Sequence, residues 1–111
     1  MIFKWIQFNS ARYRGLDLAY ATASGLKMSI GALMKAHKAG IIKKGLPDIV
    51  IPVAKGGYHG LYIELKKEKG VTSPAQKEFI KRLCEEGYLA KSIQGYQDTI
   101  NAIEGYFNEN K

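Results

Sequence analysis

A single cysteine, Cys84, leaves the chain without an intramolecular disulfide. Its apolar neighbours on a helix-patterned stretch read it as a small core residue, in keeping with a reducing compartment. No apolar run approaches the roughly 18 residues that a membrane-spanning helix needs. The opening "MIFKWIQFNSARYRG" has neither the apolar h-region nor the small-residue cleavage site of a secretory leader, so none is expected. Internal repeats, low-complexity tracts and linkers are also missing, which leaves a single domain over residues 1–111. Acids are scarce in one half only. Residues 1–59 hold nine Lys and Arg against Asp17 and Asp48, whereas residues 60–111 hold eight of each sign. The whole excess of +7 therefore sits in the first half, beside Phe3, Trp5, Phe8, Tyr13, Tyr20 and Tyr58. A basic, aromatic-rich half suits a polyphosphate partner. Charge alone reads equally well as a merely soluble surface.

What is present organises as helix, strand, strand, helix, strand, helix. Residues 29–39 carry Ile30, Leu33, Met34 and His37 on one side of a helix that closes near Gly40. Strands are expected at 48–53 and 61–66, joined by "AKGGYHG". Ser73 followed by Pro74 marks a helix start, an N-cap hydroxyl and then proline in the first turn. That helix places Phe79, Ile80, Leu83 and Cys84 on one face and stops near Gly87. A strand at 88–93 and a helix at 96–107, with Ile100, Ile103 and Phe107 inward, complete the chain. The first two strands are close enough for an antiparallel hairpin, and the third follows a crossover helix and should run parallel to the second. The expected fold is α/β, a small mixed sheet flanked by helices. Residues 1–25 have no clear pattern and no obvious place in one subunit's core.

Strand alternation sharpens the reading of "GLPDIVIPVAKGGYHGLYIELKKEKG", residues 45–70. Ile49, Ile51, Val53, Leu61, Ile63 and Leu65 make one apolar face, and Asp48, Glu64 and Lys66 share the other with Val50 and Tyr62. Any even register brings the three charged residues together at the hairpin end away from the loop, and an odd one sets apolar against charged. A cross-strand ion pair worth a few tenths of a kcal/mol would explain an arbitrary Asp…Glu-x-Lys. The chemical alternative is a divalent-metal site: two carboxylates and a backbone carbonyl suit Mg²⁺ or Mn²⁺. A metal there polarises a phosphoryl oxygen and activates water, and Lys66 orients that water or stabilises developing negative charge.

"GLPDIVI", "YIELK" and "SPAQKEFIKRLCEEGY" together resemble the virus-type replication-repair nuclease (VRR-NUC) domain of the PD-(D/E)-x-K restriction-endonuclease-like superfamily, from roughly Gly40 to Phe107. The combination carries the likeness: Gly-x-Pro-Asp, a glycine-rich hairpin loop, Glu-x-Lys, and Ser-Pro-x-Gln opening the next helix. The resemblance implies Asp48 and Glu64 as metal ligands, with the Leu65 carbonyl as a third, and Lys66 as the catalytic lysine. It also implies a Mg²⁺- or Mn²⁺-dependent endodeoxyribonuclease, cutting branched or four-way-junction DNA as a homodimer in the cytoplasm of a bacterial or phage-infected cell. Segment 1–25 is then expected to supply the dimer contact. A non-catalytic DNA-binding module that retains the fold is the alternative. Family members often carry a further acid on a helix before the sheet. Here the first acid is Asp17: either it substitutes, or the site works with two carboxylates, or the sequence begins after that helix.

Gln76, three residues after Ser73, completes a capping box, touches the metal-bound water or a phosphate, or does both. Lys43 and Lys44, with Lys35 and Lys38 on the preceding helix, are the candidate DNA-phosphate contacts. His59 in the hairpin loop suits a turn or a DNA contact. Gly56, Gly57 and Gly60 read as permitting positive φ, without the strand–turn–helix setting of a nucleotide-binding loop.

Overall fold

The structure, a computed structural model, describes residues 2–22, 29–40, 45–67 and 70–108. Helix α1 (Ile2–Asn9) leads through a short 3-10 helix (Leu16–Leu18) into β1 (Tyr20–Ala21). Helix α2 (Ile30–Lys38), strands β2 (Ile49–Ile51) and β3 (Leu61–Lys66), helix α3 (Pro74–Glu85), strand β4 (Leu89–Gln94) and helix α4 (Tyr96–Asn108) follow. The sheet order is β1-β2-β3-β4, with β1, β2 and β3 antiparallel in turn and β4 parallel to β3. The mixed sheet with its crossover helix is thus the expected one. An additional two-residue edge strand extends it.

Local chemistry explains where the helices begin and end. Ser29 caps α2 by accepting from the Ala32 N–H at 3.1 Å. Ser73 and Gln76 form a full capping box at α3, with Pro74 in the first turn where no N–H is needed. Gly87, at φ 96°, ends the α3 turn, and the His59 ring fills the space that a Cβ would need.

The register pairs Ile49 with Ile63 and Ile51 with Leu61, an even register that puts these four buried residues on one face. Ile103, Tyr106 and Phe107 of α4 and Ile6 of α1 close over that face with Tyr13 and Leu16. Of segment 1–25, Ile6, Tyr13 and Leu16 therefore have a place in their own subunit's core, contrary to expectation. Trp5 stacks on Tyr13 at 6.4 Å, and Tyr13 meets Phe107 at 5.3 Å. Phe8 is left outward, 86% exposed. Tyr13 is buried, with Phe3 and Trp5 partly buried against the same core, and such burial contributes about 25 cal/mol per Å² of apolar surface.

The opposite sheet face receives α3, whose Gln76 Nε2 donates to Glu64 Oε2 at 2.6 Å. Four expectations fail here or nearby. Cys84 is exposed rather than core, its thiol donating to the Ala90 carbonyl at 3.6 Å. Leu65 lies beyond the packed part of the apolar face and is 39% exposed. The apolar side of α2 has no buried residue, and Ile30 and Met34 face outward. Gly60 does not take the positive φ of Gly56 and Gly57; a Cβ there would crowd the Ile51 carbonyl at 3.2 Å and the Tyr88 ring at 3.4 Å.

Candidate active site

Asp48 stands one residue before β2, and its backbone is held from two sides. Its N–H donates to the Ile63 carbonyl at 2.9 Å, and its carbonyl accepts from the Thr22 N–H at 2.9 Å. The carboxylate reaches across the hairpin, where Oδ2 accepts from the Leu65 N–H at 2.7 Å. Continuing the β2–β3 register places Asp48 level with Glu64, the two-residue alternative to a pairing with Lys66. Both carboxylates and Lys66 thus meet at the end of the hairpin away from the loop.

Glu64 lies at the sheet face under the first turn of α3 and is only 5% exposed. Its Oε2 accepts from Gln76 Nε2 at 2.6 Å and sits 3.8 Å from Lys66 Nζ. Gln76 Oε1 accepts from Lys66 Nζ at 2.6 Å and from the Ser73 N–H at 2.9 Å. An amide facing both a carboxylate and an ammonium has one sensible orientation, with its NH₂ toward Glu64 and its oxygen toward Lys66. Gln76 completes the capping box foreseen for it and makes a further pair of contacts that were not foreseen. It caps α3, and it ties the acid and the lysine to that helix. Lys66 Nζ also reaches the Val71 carbonyl at 3.4 Å.

Glu64 Oε1 is buried with no hydrogen-bond partner among the described residues. Leaving a buried carboxylate oxygen unpaired costs on the order of 1–3 kcal/mol or more. Burial, and then the neighbouring Asp48 charge, push the Glu64 carboxyl up to about 7 against the opposing pull of Lys66. Asp48 is also raised, by burial first, with the Leu65 N–H and Lys66 working against it. Two partly desolvated acids, with the Asp48 charge raising Glu64 and one Glu64 oxygen unpartnered among the described residues, form a donor set that suits a cation. Hard carboxylate oxygens with room for a backbone carbonyl fit Mg²⁺ or Mn²⁺. The Leu65 carbonyl lies in β3 between Glu64 and Lys66. Among the described residues no third His, Cys, Asp or Glu joins the pair. Asp17, exposed in the 3-10 helix, therefore does not complete an acidic triad.

The Gly-x-Pro-Asp glycine also has a reason. Gly45 has φ 85°, and a Cβ there would overlap the Ala75 carbonyl in the first turn of α3. The strand leading to Asp48 thus passes directly against the helix that carries Gln76.

This geometry carries the sequence motifs quoted above, and comparison with known proteins agrees. The family model for the VRR-NUC domain matches residues 4–97. The chain belongs to the VRR-NUC domain family. The match begins at residue 4 rather than near Gly40 and ends at residue 97 rather than near Phe107, so most of α1 and all of β1 fall inside this VRR-NUC domain. A solved structure described as a VRR_NUC domain protein is 30% identical, with a TM-score of 0.76, covering 99% of this chain and 88% of that one. No curated protein matches the sequence. The family is of nuclease type, with DNA as the partner it suggests.

Of the DNA-contact candidates, Lys35 and Lys38 are exposed on α2, and Lys43 and Lys44 lie outside the described residues. His59 is exposed in the loop, its ring edge-on to Tyr88 at 5.7 Å. Sequence reasoning missed Thr22, whose buried hydroxyl donates to the Pro47 carbonyl at 2.6 Å. A lone threonine 26 residues before Asp48 gives no motif to find.

Proposed function

We propose that this VRR-NUC protein is a Mg²⁺- or Mn²⁺-dependent endodeoxyribonuclease that hydrolyses phosphodiester bonds in branched DNA, four-way junctions included, as a homodimer. The unpartnered Glu64 Oε1 beside Asp48, with Lys66 and Gln76 fixed around it, is the observation that carries this reading. Glu64 Oε1, the Asp48 oxygen not taken by the Leu65 N–H, and the Leu65 carbonyl would hold the cation. When bound, it supplies Lewis acidity toward a phosphoryl oxygen and a water of lowered pKa.

The chain's own residues do the rest. Asp48 is kept in place by the Leu65 N–H, so its free oxygen keeps a constant direction. Gln76 anchors Glu64 through one end of its amide and Lys66 through the other. Lys66 sets a positive charge at the strand end where the attacked phosphate gains negative charge, and it helps orient the attacking water. Lys35, Lys38, Lys43 and Lys44 contribute the sequence-independent grip on phosphates. Two symmetry-related strands of a junction call for two sites related by a twofold axis, and one chain carries one cluster. The outward Phe8, Ile30 and Met34 offer apolar surface for such pairing.

The lack of a third acid among the described residues favours a second reading, a DNA-binding module without catalysis. One experiment separates the two. Labelled four-way junction, flap and linear duplex are incubated with Mg²⁺, Mn²⁺ or EDTA. Metal-dependent cutting of the branched substrates supports the nuclease, and binding without cutting in every metal supports the module.

A further inference from the structure

We propose that Thr22, on the edge of the sheet, is the positioning residue for Asp48, an inference that rests on the reading of Asp48 as a metal-binding carboxylate. Thr22 is 8% exposed and grips two consecutive carbonyls. Its hydroxyl donates to the Pro47 oxygen at 2.6 Å, and its N–H donates to the Asp48 oxygen at 2.9 Å. The hydroxyl also lies 3.4 Å from the Asp48 oxygen, too far to compete for its single proton.

Pro47 makes this grip specific. It has no N–H to enter a ladder, so its carbonyl is its own one backbone hydrogen-bonding group. Thr22, the residue after β1, anchors that carbonyl, while β3 holds the Asp48 N–H and one carboxylate oxygen. The Pro47–Asp48 peptide plane sets the direction of the Asp48 Cα–Cβ bond. A rotation of about 25° moves the carboxylate by about 1 Å, and a 1 Å misplacement can cost about 100-fold in rate. In a site with two acids rather than three, no neighbouring carboxylate compensates for such a shift.

Thr22→Val keeps the shape and β-branching and removes the donor. It is compared with Thr22→Ser, which keeps the donor, by three readouts below the melting temperature: Mn²⁺ affinity by calorimetry, kcat against KM on a junction substrate, and the ¹H–¹⁵N shift of the Leu65 amide in metal-free protein. Thr22→Val should weaken Mn²⁺ binding about 10-fold or more, lower kcat about 10- to 100-fold with KM within about 2-fold, and move the Leu65 amide resonance. Thr22→Ser should restore all three. A merely structural threonine would lower the melting temperature and leave these readouts unchanged in the folded protein, which would overturn the proposal. If Thr22→Val does not fold, a Thr22→Ser protein as impaired in Mn²⁺ affinity and kcat as an Asp48 variant overturns it equally. Wild-type protein that neither binds Mn²⁺ nor cuts DNA would instead remove the metal-site reading, while the Leu65 amide would still report whether Thr22 holds Asp48.

Discussion

The metal-free protein should lose stability as pH rises from 5 to 8, because of Glu64. Its carboxyl is held near 7 in the folded chain, against a starting value of 4.5, by burial and by Asp48. A folded-state value above the unfolded one means that the folded protein binds this proton more tightly. The stabilisation is fully present below about 4.5 and is lost as pH rises through about 7. The interval of roughly 2.5 units corresponds to about 3 kcal/mol at most, or roughly 10 °C in Tm for a domain of this size. Divalent metal reverses the sense, since it binds the ionised carboxylates. At 100 times its Kd it adds about 2.7 kcal/mol, and its effect should grow toward pH 8. The assay is thermal unfolding at half-unit pH steps in EDTA and in Mn²⁺, for wild type and Glu64→Gln. Glutamine preserves the bond from Gln76 and cannot titrate, so the difference between the two proteins isolates Glu64 from Asp48, Lys66 and the two histidines. A wild-type-minus-variant difference that stays flat from pH 5 to 8 in EDTA would refute the reasoning.

Lys66→Met should lower kcat at least 100-fold while junction binding in Ca²⁺ persists, because it removes the charge at the strand end and leaves the carboxylates; wild-type turnover would end its assignment. Gly45→Ala should cost about 1–3 kcal/mol in urea unfolding, since it meets both a left-handed φ and the Ala75 carbonyl, and an unchanged midpoint would contradict the close approach. Replacing Lys35, Lys38, Lys43 and Lys44 by alanine should weaken binding to all DNAs and reduce the salt slope by about 0.9 for each phosphate no longer neutralised. Equal losses from Lys77→Ala and Lys81→Ala would show that the DNA lies on another face.

Much of the candidate site was legible because it depends on short-range rules. Strand alternation has a period of two, so Asp48, Glu64 and Lys66 had to share a face once a hairpin with an even register formed. The Ser-Pro-x-Gln start of α3 follows from N-terminal capping, which involves four consecutive residues. Helix periodicity likewise identified Ile100, Ile103 and Phe107, which α4 does bury. The same rule failed for α2 and Cys84. Periodicity tells which side of a helix is apolar, and says nothing of whether another element covers that side. The N-terminal aromatics were unreadable for a related reason. Tyr13 acquires its place from Trp5 and Phe107, the latter nearly the whole chain away.

Patterns among near neighbours in the chain were enough for the mixed α/β order, the convergence of two carboxylates and a lysine, and the family membership announced by three short motifs. It took packing in three dimensions to join Glu64 to Lys66 through Gln76, to bury Glu64 Oε1 with no partner among the described residues, and to set Thr22 on the Pro47–Asp48 peptide. Those outcomes depend on how far α3 and β1 approach the hairpin, distances set by side-chain packing across the sheet, which no local pattern encodes.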